Sequence, residues 1–445
     1  MKSEKTLAAQ FFEIAIPCVI ALFLTSSIVF VDGLFIGRRI GEAGLAAVNM
    51  TLPVLYLALA LAIMTGVGGL TVAMHRLGAG DEKGANARFT LTVLLTLGLV
   101  GLVCALVALL FPGVLDLLRA QGTMRPFVAD YLGTMLPFYP LMMGSTVFVM
   151  FIRSEGKPQV SLLYCFVANL LNVLLDWLFL FRFDWGMRGA ALASGISVIM
   201  PFCVGAWWFL AGKSRFRFAV PRVPLREVGF MLYNGSSEFV GQLSVTLTTW
   251  LANRILLERT GVSGVAAFTL VGYFAFVQSM FHTGLAQAMN PLVSYRFGAG
   301  DREGMQAVRR LANRAAACIG VVSLLIACLL GEPVLRLFLG KADGGSMPIA
   351  VEGLRLFSIG FLLNGYNMLA SCWFTSIGRA GASLLVSSLR SLLLLGALLI
   401  VLPPVLGVTG VWLAAPIAEI LTFAVALPMT RRRAEVSLQA VRAGG

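Results

Sequence analysis

The sequence predicts an all-α integral membrane protein of about twelve transmembrane helices, arranged as two six-helix lobes related by a parallel internal repeat. Three observations predict it. Hydrophobic residues make up 58% of the 445-residue chain and charged ones 12%, about half the charge of a soluble domain. Apolar stretches of spanning length recur along the chain, and roughly 20 apolar residues suffice for one crossing. The third observation is a phrase that occurs twice, "HRLGAGDEKG" at His75 to Gly84 and "YRFGAGDREG" at Tyr295 to Gly304, which marks a duplicated unit.

Breaking the chain at charged and Gly/Pro-rich stretches gives apolar segments near 7–37, 43–74, 89–112, 127–152, 159–182 and 188–212, then 226–258, 265–292, 309–331, 349–376, 382–402 and 408–430. The basic stretch "GKSRFRFAVPRVPLREV" from Gly212 to Val228 separates the two sets. The expected organisation is therefore a first lobe over 1–212, a cytoplasmic linker over 213–228 and a second lobe over 229–445. The register holds elsewhere: "GEAGLAA" at Gly41 to Ala47 faces "GVSGVAA" at Gly261 to Ala267, and Gly156 faces Gly378. An even number of spans per half makes both halves enter the membrane from the same side, so the repeat axis lies along the membrane normal and a pocket between the lobes is expected.

Lys and Arg concentrate on the side that carries the N-terminus, which predicts a cell-membrane protein with both termini cytoplasmic. The formal charge of +13 is mostly this topology signal, gathered at Arg215 to Arg226, Arg296 to Arg314 and Arg431 to Arg433, and it does not imply nucleic-acid binding. The repeated phrase then becomes the cytoplasmic loop between spans 2 and 3 and between spans 8 and 9. Its glycines fit a tight turn and its aspartate an N-cap. One reading is a structural hairpin; the other is that these loops are lobe ends that separate and meet as the protein changes state. No GxxxxGK[ST] phosphate loop is present. The seven cysteines have no CxxC spacing and read as small buried residues. No cofactor and no obligate protein partner is implied.

Ionisable residues inside spans are costly, about 2.5–3.5 kcal/mol each at the centre, so they mark the chemistry. Asp32 in span 1 precedes Arg38 by six residues, and Asp176 in span 5 precedes Arg182 by six. At 1.5 Å per residue both carboxylates lie about 9 Å inside the outer boundary. Ser194, six residues after Arg188 in span 6, reaches the same level, and Asn172 lies one turn from Asp176. This group can collect oxygen ligands for a small hard cation or hold a proton; otherwise each acid is neutralised separately by a neighbour. Asp32, Asp176 and Asn172 are the Na⁺ ligands if the ion is Na⁺. The second half does not repeat the group, since Ala252 and Leu398 face the two acids. It offers Glu238 in span 7, and Arg390 and Glu419 in spans 11 and 12, which can meet near mid-membrane as an ion pair. Pro17 in span 1 removes a backbone bond and can kink that helix. Glu238, Phe274, Met280 and Trp373 are candidates for lining an adaptable substrate cavity.

"VDGLFIGRRIGEAGLAAVNMTLPV" (Val31 to Val54), "GVGGLTVAMHRLGAGDEKGAN" (Gly66 to Asn86), "RSEGKP" (Arg153 to Pro158) and "NLLNVLLDWLF" with "GMRGAALAS" (Asn169 to Ser194) together resemble the multidrug and toxic compound extrusion (MATE) family. The resemblance implies two lobes around a cleft, alternating access, and export of cationic amphipathic small molecules against inward Na⁺ or H⁺ flow. Asp32, Asn172 and Asp176 stand where that family's first-lobe cation site has Asp, Asn and Asp; Pro17 stands at its helix-1 proline, and Ser194 where some members carry Thr. The acid found deep in helix 7 of one subgroup is not matched by Glu238, and its span-10 acid has no counterpart. The alternative is a flippase for a lipid-linked precursor, which needs several cations in its cleft. An enzyme is not expected, because two isolated histidines come with no HExxH or GxSxG.

Overall fold

A computed structural model describes residues 6–339 and 345–431. Both chain termini, together with Arg432 and Arg433, lie outside the described residues. Among the described residues every regular element is helical. The first half contains α1 (Leu7–Arg39), α2 (Glu42–Gly78), α3 (Glu82–Leu109), the short α4 (Phe111–Leu117), α5 (Met124–Met135), α6 (Tyr139–Ser154), α7 (Pro158–Asp176) with a π-helical turn over Trp177–Arg182, and α8 (Gly186–Leu210). The second half contains α9 (Leu225–Gly298), α10 (Arg302–Leu339), α11 (Ser346–Ser358), α12 (Phe361–Ser376), α13 (Ala380–Ser388), a π-helical turn over Leu389–Leu393, α14 (Leu394–Leu406) and α15 (Val408–Arg431).

Nine of these helical stretches are long and apolar enough to cross a membrane, and two bent pairs, α5 with α6 and α11 with α12, each make one more. The 74-residue α9 counts as two spans because it is a hairpin. Gly261 breaks it with φ 65° and ψ −152°. Asn234 on one arm and Asn290 and Ser294 on the other all bond to Thr375 or Ser376, which requires the arms to run back along each other. Six spans twice result, as the apolar segments predict.

The repeat is written in the backbone as well as the sequence. Gly41, Gly80 and Gly156 have positive φ, and so do their counterparts Gly261, Gly300 and Gly378. Both bent pairs turn by 51°, and a π-helical turn falls in span 5 and again in span 11. The repeated phrase builds the same turn in both copies. Asp81 Oδ1 accepts from Gly84 N at 2.7 Å and Asp301 Oδ1 from Gly304 N at 2.8 Å, each capping the following helix. Arg76 pairs with Asp81 at 3.7 Å and Arg296 with Asp301 at 3.5 Å. A Cβ at Gly84 or Gly304 would lie 1.9 or 2.1 Å from the capping carboxylate, so a larger residue there displaces the cap.

By packing, the chain forms two compact units. The first takes Met1–Ser244, Ser279–Ala315 and Cys372–Leu384; the second takes Val245–Gln278, Ala316–Ser371 and Leu385–Gly445. The first unit has an aromatic core of Phe89, Phe148, Phe151, Phe209 and Phe216. Phe216 comes from the linker, which is laid onto this core. Glu155 Oε1 accepts from Arg215 N at 3.1 Å and Phe216 N at 3.3 Å and from the Ser214 hydroxyl. Arg217 N donates to Asn86 at 2.9 Å and Ala219 N to Thr90 at 2.9 Å. The second unit centres on Leu335, Leu354 and Trp412, with the Trp412 ring over Gly353, where a Cβ would come within 2.5 Å of it.

Candidate ion-coupling site

α1 packs along α7, and two polar ties fix their register. Asn169 donates to Leu24 O at 2.8 Å, and at the outer end Arg39 donates to Leu180 O at 3.2 Å and pairs with Asp184 at 2.8 Å. Between these ties Asp32 of α1 and Asp176 of α7 come side by side. Asp176 is the last α-helical residue before the π-helical turn, a local widening that recurs at functional positions in helices. α8 returns beside them. Its Ser194 hydroxyl donates to Asp32 Oδ2 at 3.5 Å and accepts from Asn172 Nδ2 at 3.4 Å.

The three residues singled out by depth and Asn172, one turn from Asp176, therefore share one place in the first unit. Asn172 and Asp176 are each 1% exposed, and Asp32 is partly buried. The decisive feature is what these groups lack. Asp32 Oδ1, Asn172 Oδ1 and Asp176 Oδ2 are buried and have no hydrogen-bond partner among the described residues. Two adjoining carboxylates with a single long hydroxyl bond between them cannot both stay ionised without a positive partner. A shared proton satisfies them, and so does a hard cation, for which three unclaimed oxygens and a hydroxyl form a suitable donor set.

The second unit shows the contrasting case. Glu419 is 7% exposed, yet both of its oxygens are taken: Asn364 donates to Oε1 at 2.8 Å, Asn367 to Oε2 at 2.6 Å, and Arg390 to Oε1 at 3.4 Å. This carboxylate carries its own cation and amide donors, so it is satisfied as an ion. The pairing of Arg390 with Glu419 follows from their positions on a helical hairpin, whereas the two asparagines of α12 carry no motif that announces them.

Tyr131 of α5 is a further member of the first-unit site that sequence reasoning missed. It lies close to Ser194 and to both aspartates. Arg188 of α8 holds Asp130 at 2.9 Å, which places the neighbouring Tyr131 beside Ser194; the packing of α5 on α8 is the only signal. α1 runs as one helix through Pro17, which leaves the Glu13 carbonyl without its usual i+4 donor. The cavity candidates are drawn from both units. Phe274 stacks on Phe361 at 5.7 Å within the second unit. In the first unit Met280 and Trp373 are core residues, 6% and 2% exposed, with the Arg309 guanidinium 4.9 Å from the Trp373 ring. Glu238 lies near Cys372.

On the linker side of the first unit, residues from both halves of the sequence are bonded together. Glu227 accepts from Arg88 Nε at 3.0 Å and Nη2 at 2.5 Å, with Arg76 at 3.6 Å. His75 Nε2 meets Ser376 O at 2.7 Å, Asn290 donates to Thr71 at 3.2 Å, and Arg153 donates to Gln287 at 2.6 Å. α2 also touches each arm of α9 backbone to backbone. A Cβ at Gly235 would lie 1.9 Å from Met64 O, and one at Gly298 would lie 2.0 Å from His75 O.

A family model described as MatE matches the chain twice, over residues 17–178 and 239–402, which are the two halves. The multidrug export protein MepA of Staphylococcus saprophyticus is 24% identical over 414 residues, covering 91% of this chain and 89% of that protein. A solved structure of a Vibrio cholerae MATE transporter mutant superimposes with a TM-score of 0.90 at 21% identity, covering 97% of this chain and 98% of that one. A MOP superfamily transporter from Pyrococcus furiosus, described as having a binding pocket of reverse polarity that suggests a different function, gives 0.87 at 23% identity over 96% of each chain.

Proposed function

The chain belongs to the MatE family, a multi-pass membrane transporter family, and we propose that it is a secondary active exporter of cationic amphipathic compounds driven by inward Na⁺ or H⁺. The observation that carries this reading is the set of three unclaimed buried oxygens on Asp32, Asn172 and Asp176. Arrival of a cation or proton from outside offsets one of the two carboxylate charges and supplies the partner the pair lacks. α1, which carries Asp32 and is interrupted chemically at Pro17, then shifts against α7 and α8. The bonds around Glu227, His75 and Asn290 are the cytoplasmic closure that this shift opens and re-forms in each cycle.

One charge moving down 100 mV supplies about 2.3 kcal/mol, enough for roughly a 50-fold gradient of an uncharged cargo; a singly charged cation exchanged one for one cancels that contribution and is driven by the ion's concentration gradient. Support for export comes from the MepA relatives, which are multidrug export proteins. The protein resides in the cell membrane with both termini cytoplasmic, in keeping with the basic loops on that side. The test is efflux of a fluorescent organic cation from proteoliposomes carrying a Na⁺ gradient or a pH gradient. Efflux under one gradient supports the reading and names the ion. No efflux under either, together with movement of a lipid-linked precursor between leaflets, replaces it with the flippase reading.

A further inference from the structure

Two ammonium groups meet one pair of tryptophans on the linker side of the first unit, and the proposed transport cycle uses neither. Lys157 belongs to the "RSEGKP" turn between α6 and α7, and Lys213 opens the linker after α8. Lys213 Nζ lies 4.0 Å from the Trp207 ring centroid and 6.0 Å from that of Trp208, while Lys157 Nζ lies 5.0 Å from the Trp208 ring. Lys157 also donates to Lys213 O at 2.7 Å, which locks the two turns together. Glu155 is the acid that acts on Lys157 across space; its Oε1 is taken by Ser214, Arg215 and Phe216, and its Oε2 is buried, unpartnered among the described residues and not within ion-pair distance of Lys157. Neither lysine makes a salt bridge among the described residues. The Trp208 indole N–H is buried and has no acceptor among the described residues.

The linker continues this positive edge. Ser214 and Phe216 are buried and Lys213, Arg215 and Arg217 exposed, so alternate residues of an anchored strap face outward. The two tryptophans occupy the last turn of α8, where a spanning helix meets the headgroup layer and where tryptophan partitions.

We propose that Lys157, Lys213 and the Trp207–Trp208 pair bind the phosphodiester headgroup of an anionic phospholipid in the adjoining leaflet, with Arg215 and Arg217 extending the site. The phosphate oxygens take the two ammonium groups, and the acyl chains continue along α8. Each lysine near an anionic surface contributes about 1 kcal/mol. Selectivity for a net negative lipid follows, because a zwitterionic headgroup brings its own cation to two lysines.

Native mass spectrometry of the full chain in a nonionic detergent tests this, with phosphatidylglycerol or phosphatidylcholine added. The parent protein is expected to retain phosphatidylglycerol in preference to phosphatidylcholine, and millimolar inorganic phosphate is expected not to displace it. Lys157→Gln with Lys213→Gln is expected to weaken retention about 30-fold, and Lys157→Arg with Lys213→Arg to preserve it. Should the double Gln variant not fold, Lys213→Gln alone, at an exposed position, is expected to lose about fivefold. Equal retention of the two lipids, unchanged retention in the Gln variants, or displacement by phosphate alone overturns the proposal.

Discussion

Replacing Gly298 by alanine is expected to hold the cytoplasmic closure open. The Cβ it adds would lie 2.0 Å from His75 O, where real Cβ contacts do not come under 3.0 Å, and the obstacle is backbone rather than a side chain that can turn away. α2 and the second arm of α9 must therefore part by at least about 1 Å. Overpacking of this kind costs about 1–3 kcal/mol. The Asn290–Thr71 bond joins the same two helices at 3.2 Å, and stretching it adds about 1 kcal/mol. A shift of about 2–4 kcal/mol toward the open arrangement is at least about 30-fold in population. Cys372 reports it: the residue is 6% exposed, and its thiol bonds Ala286 O at 3.4 Å. With the other six cysteines replaced by serine, a hydrophilic maleimide applied from the cytoplasmic side should label Cys372 at least tenfold faster in Gly298→Ala, and efflux should fall. Gly98→Ala, at a position with nothing within 4 Å of the added Cβ, should change neither. Unaltered labelling and efflux in Gly298→Ala would refute the closure.

Three further outcomes are expected. Glu227→Gln keeps an acceptor but removes the charge that holds Arg88, whose side chain is 9% exposed; after allowance for the partial exposure of Glu227, a cost of about 1–3 kcal/mol should raise Cys372 labelling in the same assay. Ser194→Ala removes both the hydroxyl donated to Asp32 and the acceptor for Asn172, and should raise the ion concentration needed for half-maximal efflux several-fold, while Ser194→Thr should not. Burial holds the Glu155 carboxyl above the ordinary carboxylate range, against the bonds from Ser214, Phe216 and Arg215 and the charge of Lys157. The folded protein therefore takes up this proton more readily than the unfolded chain, and the stability so gained is complete below the ordinary range and lost as pH rises through the raised value. Glu155→Gln should flatten that part of the profile of unfolding temperature against pH.

Much of this arrangement is legible in the sequence because a membrane leaves few ways to place charge. The twelve spans follow from apolar length, and the one that secondary-structure boundaries merge, at Gly261, is marked in advance by its match to Gly41. Counting residues inward from Arg38, Arg182 and Arg188 brings Asp32, Asp176 and Ser194 to one depth, since a helix rises by a fixed 1.5 Å per residue. The same counting carries no information about which helices touch. Tyr131, the asparagines of α12 and the pairing of Glu227 with Arg88 depend on packing between segments far apart in the chain, and none has a local spacing that predicts it. Phe274, Met280 and Trp373 show the converse: aromatic and methionine residues on apolar helices serve the core as readily as a cavity, and sequence does not separate the two.

The central claim is that the first-unit carboxylates couple the ion to the cargo. It is tested most directly by measuring efflux of a fluorescent organic cation from proteoliposomes under imposed Na⁺ and pH gradients for the parent, Asp32→Asn, Asp176→Asn and Glu419→Gln. The account predicts gradient-driven efflux in the parent, its loss in both aspartate variants with folding retained, and its survival in Glu419→Gln, whose carboxylate already carries Arg390. Undiminished pumping by Asp32→Asn and Asp176→Asn, or its loss only in Glu419→Gln, would contradict it.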